Sequence, residues 1–194
     1  MAAVESTMLE LGTKAPNFEL PNVVTGKKVS LSDFGDVSGL LVIFMCNHCP
    51  FVKHVRQGIV QLAGDYKEKG IETVAIMSND VSTHPGDHPD KMKEEAVKFD
   101  YPFPYLYDES QEVAKAYKAA CTPDFFLFDD NLELYYRGQL DDARPGNDEP
   151  VNGKDLRNAM DRMLKGEEPP QIQKPSMGCN IKWKAGNEPD YFKG

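Results

Sequence analysis

Residues 39–50 read Gly39-Leu40-Leu41-Val42-Ile43-Phe44-Met45-Cys46-Asn47-His48-Cys49-Pro50. Gly39 to Met45 carries no charge, and an unbroken apolar run of strand length is what the buried strands of parallel and mixed sheets use. Beyond it, Phe51, Val55, Ile59, Leu62 and Tyr66 recur at steps of three and four. That spacing predicts one apolar face of a helix, closed by Lys67, Lys69 and Gly70. Ile71 to Met77 is again apolar and strand-like. The two cysteines therefore stand at the turn from a buried strand into a helix, inside a β-α-β unit. Pro50 agrees with this, because the N–H groups of a first turn have no intrahelical partner and a proline there costs little. A helix beginning near Asn47 is expected.

Two cysteines with two residues between them close a small disulfide ring or stand as a dithiol. At a helix start, first-turn N–H groups and the helix dipole favour the anion of the first sulfur, Cys46. Cysteines so placed have pKa values of roughly 3.5–7.5 against about 8.5 when free. A protonated His48 acts in the same direction. The more exposed sulfur attacks, and the second resolves the mixed disulfide. The competing structural reading is half of a zinc site, which needs a second pair of ligands. Cys121 and Cys179 lie far apart, and neither a second CxxC nor an HxxxH on a helix is present. No metal and no cofactor is expected.

The chain has 194 residues, 40% hydrophobic and 27% charged, enough to bury a core without disulfide staples. A net charge of −9 with no Lys/Arg block argues against nucleic acid as a partner. No apolar run approaches the ~20 residues that span a bilayer, so no membrane association is expected. Met1 to Glu10 lacks the layout of a signal peptide, from which a cytoplasmic, reducing setting is expected. There, closely spaced cysteines are more often catalytic or metal-binding than structural.

Upstream, Phe18-Glu19-Leu20 and Val29-Ser30-Leu31 flank a polar segment with Gly26 and predict a β-hairpin. Downstream, Ser78 to Pro89 reads as a loop, Lys91 to Phe99 and Gln111 to Ala120 as helices, and Phe125 to Phe128 with Leu132 to Tyr136 as a second hairpin. Lys154 to Lys165 predicts a last helix. From Gly166 onward, Pro169, Pro170, Pro175, Gly178, Gly186 and Pro189 argue for irregular structure. The division expected is a domain over 11–165 and an irregular extension over 166–194.

This order of elements, with Thr122-Pro123 ahead of an apolar strand, resembles the thioredoxin superfamily. It is most similar to its peroxiredoxin-like (AhpC/TSA-type) and TlpA/ResA-like branch, whose G-x-x-A-P-x-F-x-L opening is matched by Gly12 to Leu20. Cys46-Asn47-His48-Cys49-Pro50 and the tail Gly178 to Lys184 resemble a little-characterised subgroup within it. The resemblance implies an α/β thioredoxin-like fold, three layers around a mixed sheet. It further implies Cys46 as the attacking thiol, Cys49 as the resolving thiol and Pro123 as a cis-proline that positions substrate at a strand edge.

Departures from the family pattern bear on the activity. The related peroxidases carry P-x-x-x-T-x-x-C, but here Val42 and Cys46 hold the proline and threonine positions, and their arginine is replaced by Pro123. Arg137 is the nearest substitute in sequence, and is otherwise a solvated strand residue. The buried acid that thioredoxin carries on the preceding strand is also absent from Leu40 to Met45. Disulfide exchange therefore leads, with protein or small-molecule disulfides as substrates and a dithiol as reductant. Peroxide reduction by Cys49 is the alternative, and a Sco-like metal-binding protein is a further one. His48 is a candidate base. Cys121 is a candidate third redox thiol or a small buried filler. Cys179 is a candidate resolving thiol or an inert cysteine in an ordered tail. His84 and His88 have metal-like spacing, but Pro85 and Gly86 keep them off one helix face, so a solvated loop is expected. Asp141, Asp142 and Arg144 read as loop charges.

Overall fold

The computed structural model describes residues 3–192. In chain order its strands and helices are β1 (Ala3–Glu5), β2 (Glu19–Pro21), β3 (Lys28–Ser30), β4 (Gly39–Phe44), α1 (Pro50–Lys67), β5 (Ile71–Met77), α2 (Pro89–Lys98), β6 (Tyr105–Tyr107), α3 (Glu112–Ala116), β7 (Cys121–Thr122), β8 (Asp124–Phe128), β9 (Leu134–Gly138), α4 (Lys154–Leu164) and β10 (Met177–Asn180).

The apolar run that precedes the cysteines is β4, the centre of a five-stranded sheet ordered β6-β5-β4-β8-β9. Strands β4, β5 and β6 are parallel, while β8 and β9 run antiparallel. Every residue of β4 is buried, and successive side chains serve opposite faces. Leu41 and Ile43 pack with Val55, Ile59 and Leu62 of α1 and with Leu156 and Met160 of α4. Leu40, Val42 and Phe44 pack with Phe18 and Leu20 of the β2–β3 hairpin and with Val113 and Tyr117. Two apolar faces explain a run that does not alternate. Each such side chain contributes roughly 1.5–3 kcal/mol on burial. The result is the thioredoxin-like α/β architecture, three layers about a mixed sheet, with the N-terminal hairpin where the sequence places it.

Four local features differ from expectation. Helix α1 starts at Pro50 rather than near Asn47, and Cys49 is its N-cap, with extended backbone. Proline at the first helical position is preorganised in φ and lacks an N–H that would have no partner anyway. The helix expected over 111–120 shrinks to α3, because Gln111 and Lys118 both adopt left-handed backbone, at φ 67° and 50°. The second hairpin arm runs over Leu134–Gly138, not 132–136, with Leu132 in the turn at φ 56°. Finally, the tail is not irregular throughout. Met177–Asn180 is a strand, held between β1 and β7 in a three-stranded sheet ordered β1-β10-β7. Its partners come from 3–5 and 121–122, so no local pattern could reveal it. Among the described residues no helix is long and apolar enough to cross a membrane.

Candidate active site

Strand β4 delivers Cys46 just past its end, and α1 begins with Cys49 as its cap. Both side chains are buried, at 1% and 0% exposure, so accessibility does not separate an attacking from a resolving sulfur. Opposite them stands Thr122-Pro123, a cis peptide as the resemblance implied. Cys46 Sγ lies 3.5 Å from Thr122 Oγ1, and Cys49 Sγ lies 3.1 Å from Thr122 O.

The first-turn N–H groups expected at Cys46 are engaged elsewhere. Those of Asn47 and His48 donate to Asp87 Oδ1, at 2.8 and 3.2 Å. Asp87 Oδ2 accepts from Asn79 Nδ2 at 2.9 Å and pairs with His48 Nδ1 at 2.5 Å. This fully buried acid arrives on a 3-10 turn, Pro85–Asp87, within the loop expected to be solvated. Burial alone would raise its pKa, but the hydrogen bonds from His48, Asn79 and the Asn47 N–H outweigh it and hold it below the ordinary carboxylate range. The same loop stacks His84 on His48, ring centroids 4.9 Å apart. Burial, then the neighbouring His48, lowers the His84 pKa. His88 instead caps α2 in solvent, accepting from Asp90 N.

Thiolate character falls on Cys49, contrary to the expectation for Cys46. A hydrogen bond with the Cys49 sulfur, then burial and the Asp87 charge, push the Cys46 thiol well up. For Cys49, the Cys46 thiol is the largest influence, joined by Cys179, Thr122 and the Val52 N–H, and the pKa comes down to about 4. The Val52 N–H faces the sulfur without a full capping bond. Burial and the Thr122 carbonyl favour the protonated form of Cys49, and the donors outweigh them. His48 does not serve Cys46 freely: Nδ1, 3.8 Å from Cys46 Sγ, is committed to Asp87, and Nε2 is buried without a partner.

Of the other candidates, Cys179 reaches the pair and Cys121 bonds to other groups. Cys179, buried on β10, hydrogen-bonds the Cys49 sulfur, and burial first and that contact second push its thiol up to about 12. Cys121 is fully buried, its Sγ 3.5 Å from Pro123 O and 3.9 Å from Ser176 O, and burial raises its pKa. Arg137, half-buried on β9, turns to other partners: it donates to Leu9 O and Gln173 Oε1, both at 2.7 Å. Asp141 is a buried acceptor for the N–H groups of Ala143, Asn152 and Gly153, not a loop charge.

Sequence reasoning missed Asp87, Asn79 and Asp124. The segment His84 to His88 drew notice for its histidines, and the acid between them carries the contact to Asn47 and His48, the two residues between the cysteines. Asp124 directly follows the cis-proline and is fully buried, with Oδ2 accepting from Ala120 N at 3.1 Å and Oδ1 unpartnered. Cys46 Sγ, His48 Nδ1 and an Asp87 oxygen lie within 4.8 Å of one another, a spacing open to a metal ion. Four protein donors already satisfy the Asp87 carboxylate, which marks it as the group that orients His48.

Residues 11–137 match the AhpC/TSA family. The thiol-disulfide oxidoreductase ResA of Geobacillus kaustophilus is 27% identical over 130 residues, covering 67% of this chain and 70% of that one. An uncharacterised conserved protein of known structure from the same organism is 56% identical, with a TM-score of 0.93 over 95% of this chain and 97% of that one. A hypothetical protein from Sinorhizobium meliloti is 49% identical, with a TM-score of 0.92 over 94% and 99%.

Proposed function

The chain belongs to the AhpC/TSA family and is a thiol–disulfide oxidoreductase, and from that premise we propose that Cys46 and Cys49 are its working dithiol, with Cys49 as the nucleophile. The observation that carries this is the buried pair itself, set against cis Thr122-Pro123 with Cys49 Sγ 3.1 Å from Thr122 O and Cys46 Sγ 3.5 Å from Thr122 Oγ1, where the Cys49 thiol is pushed down and the Cys46 thiol up.

In this reading Cys49 attacks a substrate disulfide and expels one substrate thiolate, leaving a mixed disulfide on Cys49. The hydrogen bond to the Cys49 sulfur, chief among the influences holding the Cys46 proton, is then lost. Cys46 gives up its proton, attacks Cys49 Sγ and releases the second substrate thiolate. The Cys46–Cys49 disulfide is returned to the dithiol by an external dithiol. Asp87 holds the Asn47 and His48 N–H groups and the His48 ring, which fixes the turn between the two sulfurs.

The test is disulfide reduction and intermediate trapping in the serine variants. Cys46→Ser in a Cys179→Ser background is expected to accumulate a mixed disulfide on Cys49, and Cys49→Ser to lose both turnover and trapping. Trapping on Cys46 in Cys49→Ser protein would reverse the roles, and turnover surviving in both variants would sink the reading. A second reading, peroxide reduction, is favoured by the anionic Cys49 at the position of the peroxidases' reactive cysteine. Two arginines that could meet the developing charge are engaged elsewhere, Arg137 with Leu9 and Gln173 and Arg56 with Glu95. Peroxide consumption with a supplied dithiol measures it directly.

A further inference from the structure

Strand β10 runs antiparallel to β7, with Cys179 opposite Thr122 and Asn180 opposite Cys121. Thr122 precedes the cis-proline, so β10 occupies the backbone edge beside the dithiol on which an extended disulfide-bearing segment would pair. The approach is close. A Cβ on Gly178 would fall 2.0 Å from Thr122 O and 3.2 Å from Pro123 N, so glycine alone fits. Ser176 donates its hydroxyl to Pro123 O at 2.6 Å, and β1 pairs along the other edge of β10.

On this strand Cys179 contacts Cys49, which Cys46 contacts in turn. The three sulfurs do not all lie within 4.8 Å of one another. Thr122 gathers them, its carbonyl 3.1 Å from Cys49 Sγ, its hydroxyl 3.5 Å from Cys46 Sγ and Cys179 in register opposite it, and exchange through Cys49 takes Cys179 as the attacking and Cys46 as the leaving sulfur.

We propose that β10 is a built-in disulfide partner of the site: Cys179 stands where a substrate cysteine would stand and resolves the oxidised centre as a Cys49–Cys179 bridge. This rests on the dithiol reading above. In the step, Cys179 loses its proton and attacks Cys49 Sγ of the Cys46–Cys49 disulfide. The Cys49–Cys179 bond forms as the Cys46–Cys49 bond breaks, and Cys46 leaves as a thiolate that takes up the proton. One disulfide and one thiol enter and one of each emerges, so no outside oxidant or reductant is consumed. The same attack on a mixed disulfide at Cys49 expels the substrate thiolate. With the strand edge already filled, the substrate that enters without dislodging β10 is a small disulfide, not an extended peptide.

The experiment oxidises full-length Cys46→Ser protein with glutathione disulfide, quenches it in acid and maps disulfides by peptide mass spectrometry. A Cys49–Cys179 bridge is expected, with the Cys49–glutathione adduct about tenfold scarcer than in the Cys46→Ser/Cys179→Ser protein, because the tethered thiol is present at high effective concentration. Equal adduct in both proteins with no bridge overturns the proposal, while a Cys46–Cys49 disulfide in the wild type leaves the dithiol reading intact. If the wild type also fails to close Cys46–Cys49, both fall. A second arm adds Gly178→Ala to Cys46→Ser, which leaves all the remaining thiols in place. Bridge yield is expected to drop severalfold, and an undiminished yield contradicts the role given to β10.

Discussion

Asp87 and Asp124 are both fully buried beside the site, yet their carboxyls shift in opposite directions. Asp87 has four donors and lies below the ordinary carboxylate range, whereas burial pushes the under-bonded Asp124 up to about 7. Asp87 therefore contributes stability that is present above the unfolded value of about 3.9 and is lost as the pH falls through its folded pKa. Asp124 does the reverse. Between about pH 4 and 7 the unfolded chain has released a proton that the folded chain retains, so its effect on stability worsens as pH rises. Asp124→Asn is expected to gain on the order of 2 kcal/mol relative to wild type between pH 5 and pH 8 in denaturant unfolding. Parallel curves for the two proteins would refute it. The dithiol offers a sharper substitution pair. In Cys46→Ser the hydroxyl still donates to Cys49, whereas Cys46→Ala removes the largest influence lowering its pKa. Alkylation rates of Cys49 followed against pH should place the alanine variant's midpoint above the serine variant's. A common midpoint would show that Cys46 does not hold the anion.

At the scale of elements, the site is an assembly of pieces with very different visibility in sequence. Strand β4 and helix α1 announce themselves, one by an apolar run and the other by a three-and-four spacing that needs only local chain. Thr122-Pro123 was legible through its place before an apolar strand. The loop from Ser78 to Pro89 was not, because its prolines and glycine describe a turn and say nothing of what the turn covers. Its work is done by Asp87 reaching across to residues 47 and 48, a contact 39 and 40 positions away in sequence that no pattern encodes. Strand β10 was hidden for a related reason: it holds one glycine and has only Met177, Gly178, Cys179 and Asn180, with both partners far along the chain. That glycine is where the element is most vulnerable. Gly178→Ala should destabilise the protein by about 1–3 kcal/mol, the usual cost of forcing atoms into a filled space. It should also speed alkylation of the dithiol, as β10 is pushed from Thr122. Unchanged unfolding together with unchanged alkylation would show that the close approach carries no weight.

Across the whole molecule, two sheets meet at the cysteines. The five-stranded sheet supplies the rigid platform beneath them, and the small β1-β10-β7 sheet closes over Thr122 from above. Asn79 joins the two parts, donating to Asp87 while accepting from Lys182 N at 2.9 Å, just beyond β10. Gln111 Nε2 reinforces the join through Lys182 O. Pairing of Ala3 with Cys179 also brings the beginning of the described chain against its final segment, with Val4, Trp183, Tyr191 and Phe192 around one shallow hollow. The fold is therefore nearly a closed ring of chain, and a cut in an exposed stretch away from the site should matter little. A circular permutant with a short flexible linker joining Ala3 to Phe192, and a new opening in the exposed stretch Gly146 to Glu149, is expected to fold and keep the dithiol chemistry. By contrast, a cut between Thr122 and Asp124 would sever the one peptide on which both sheets converge.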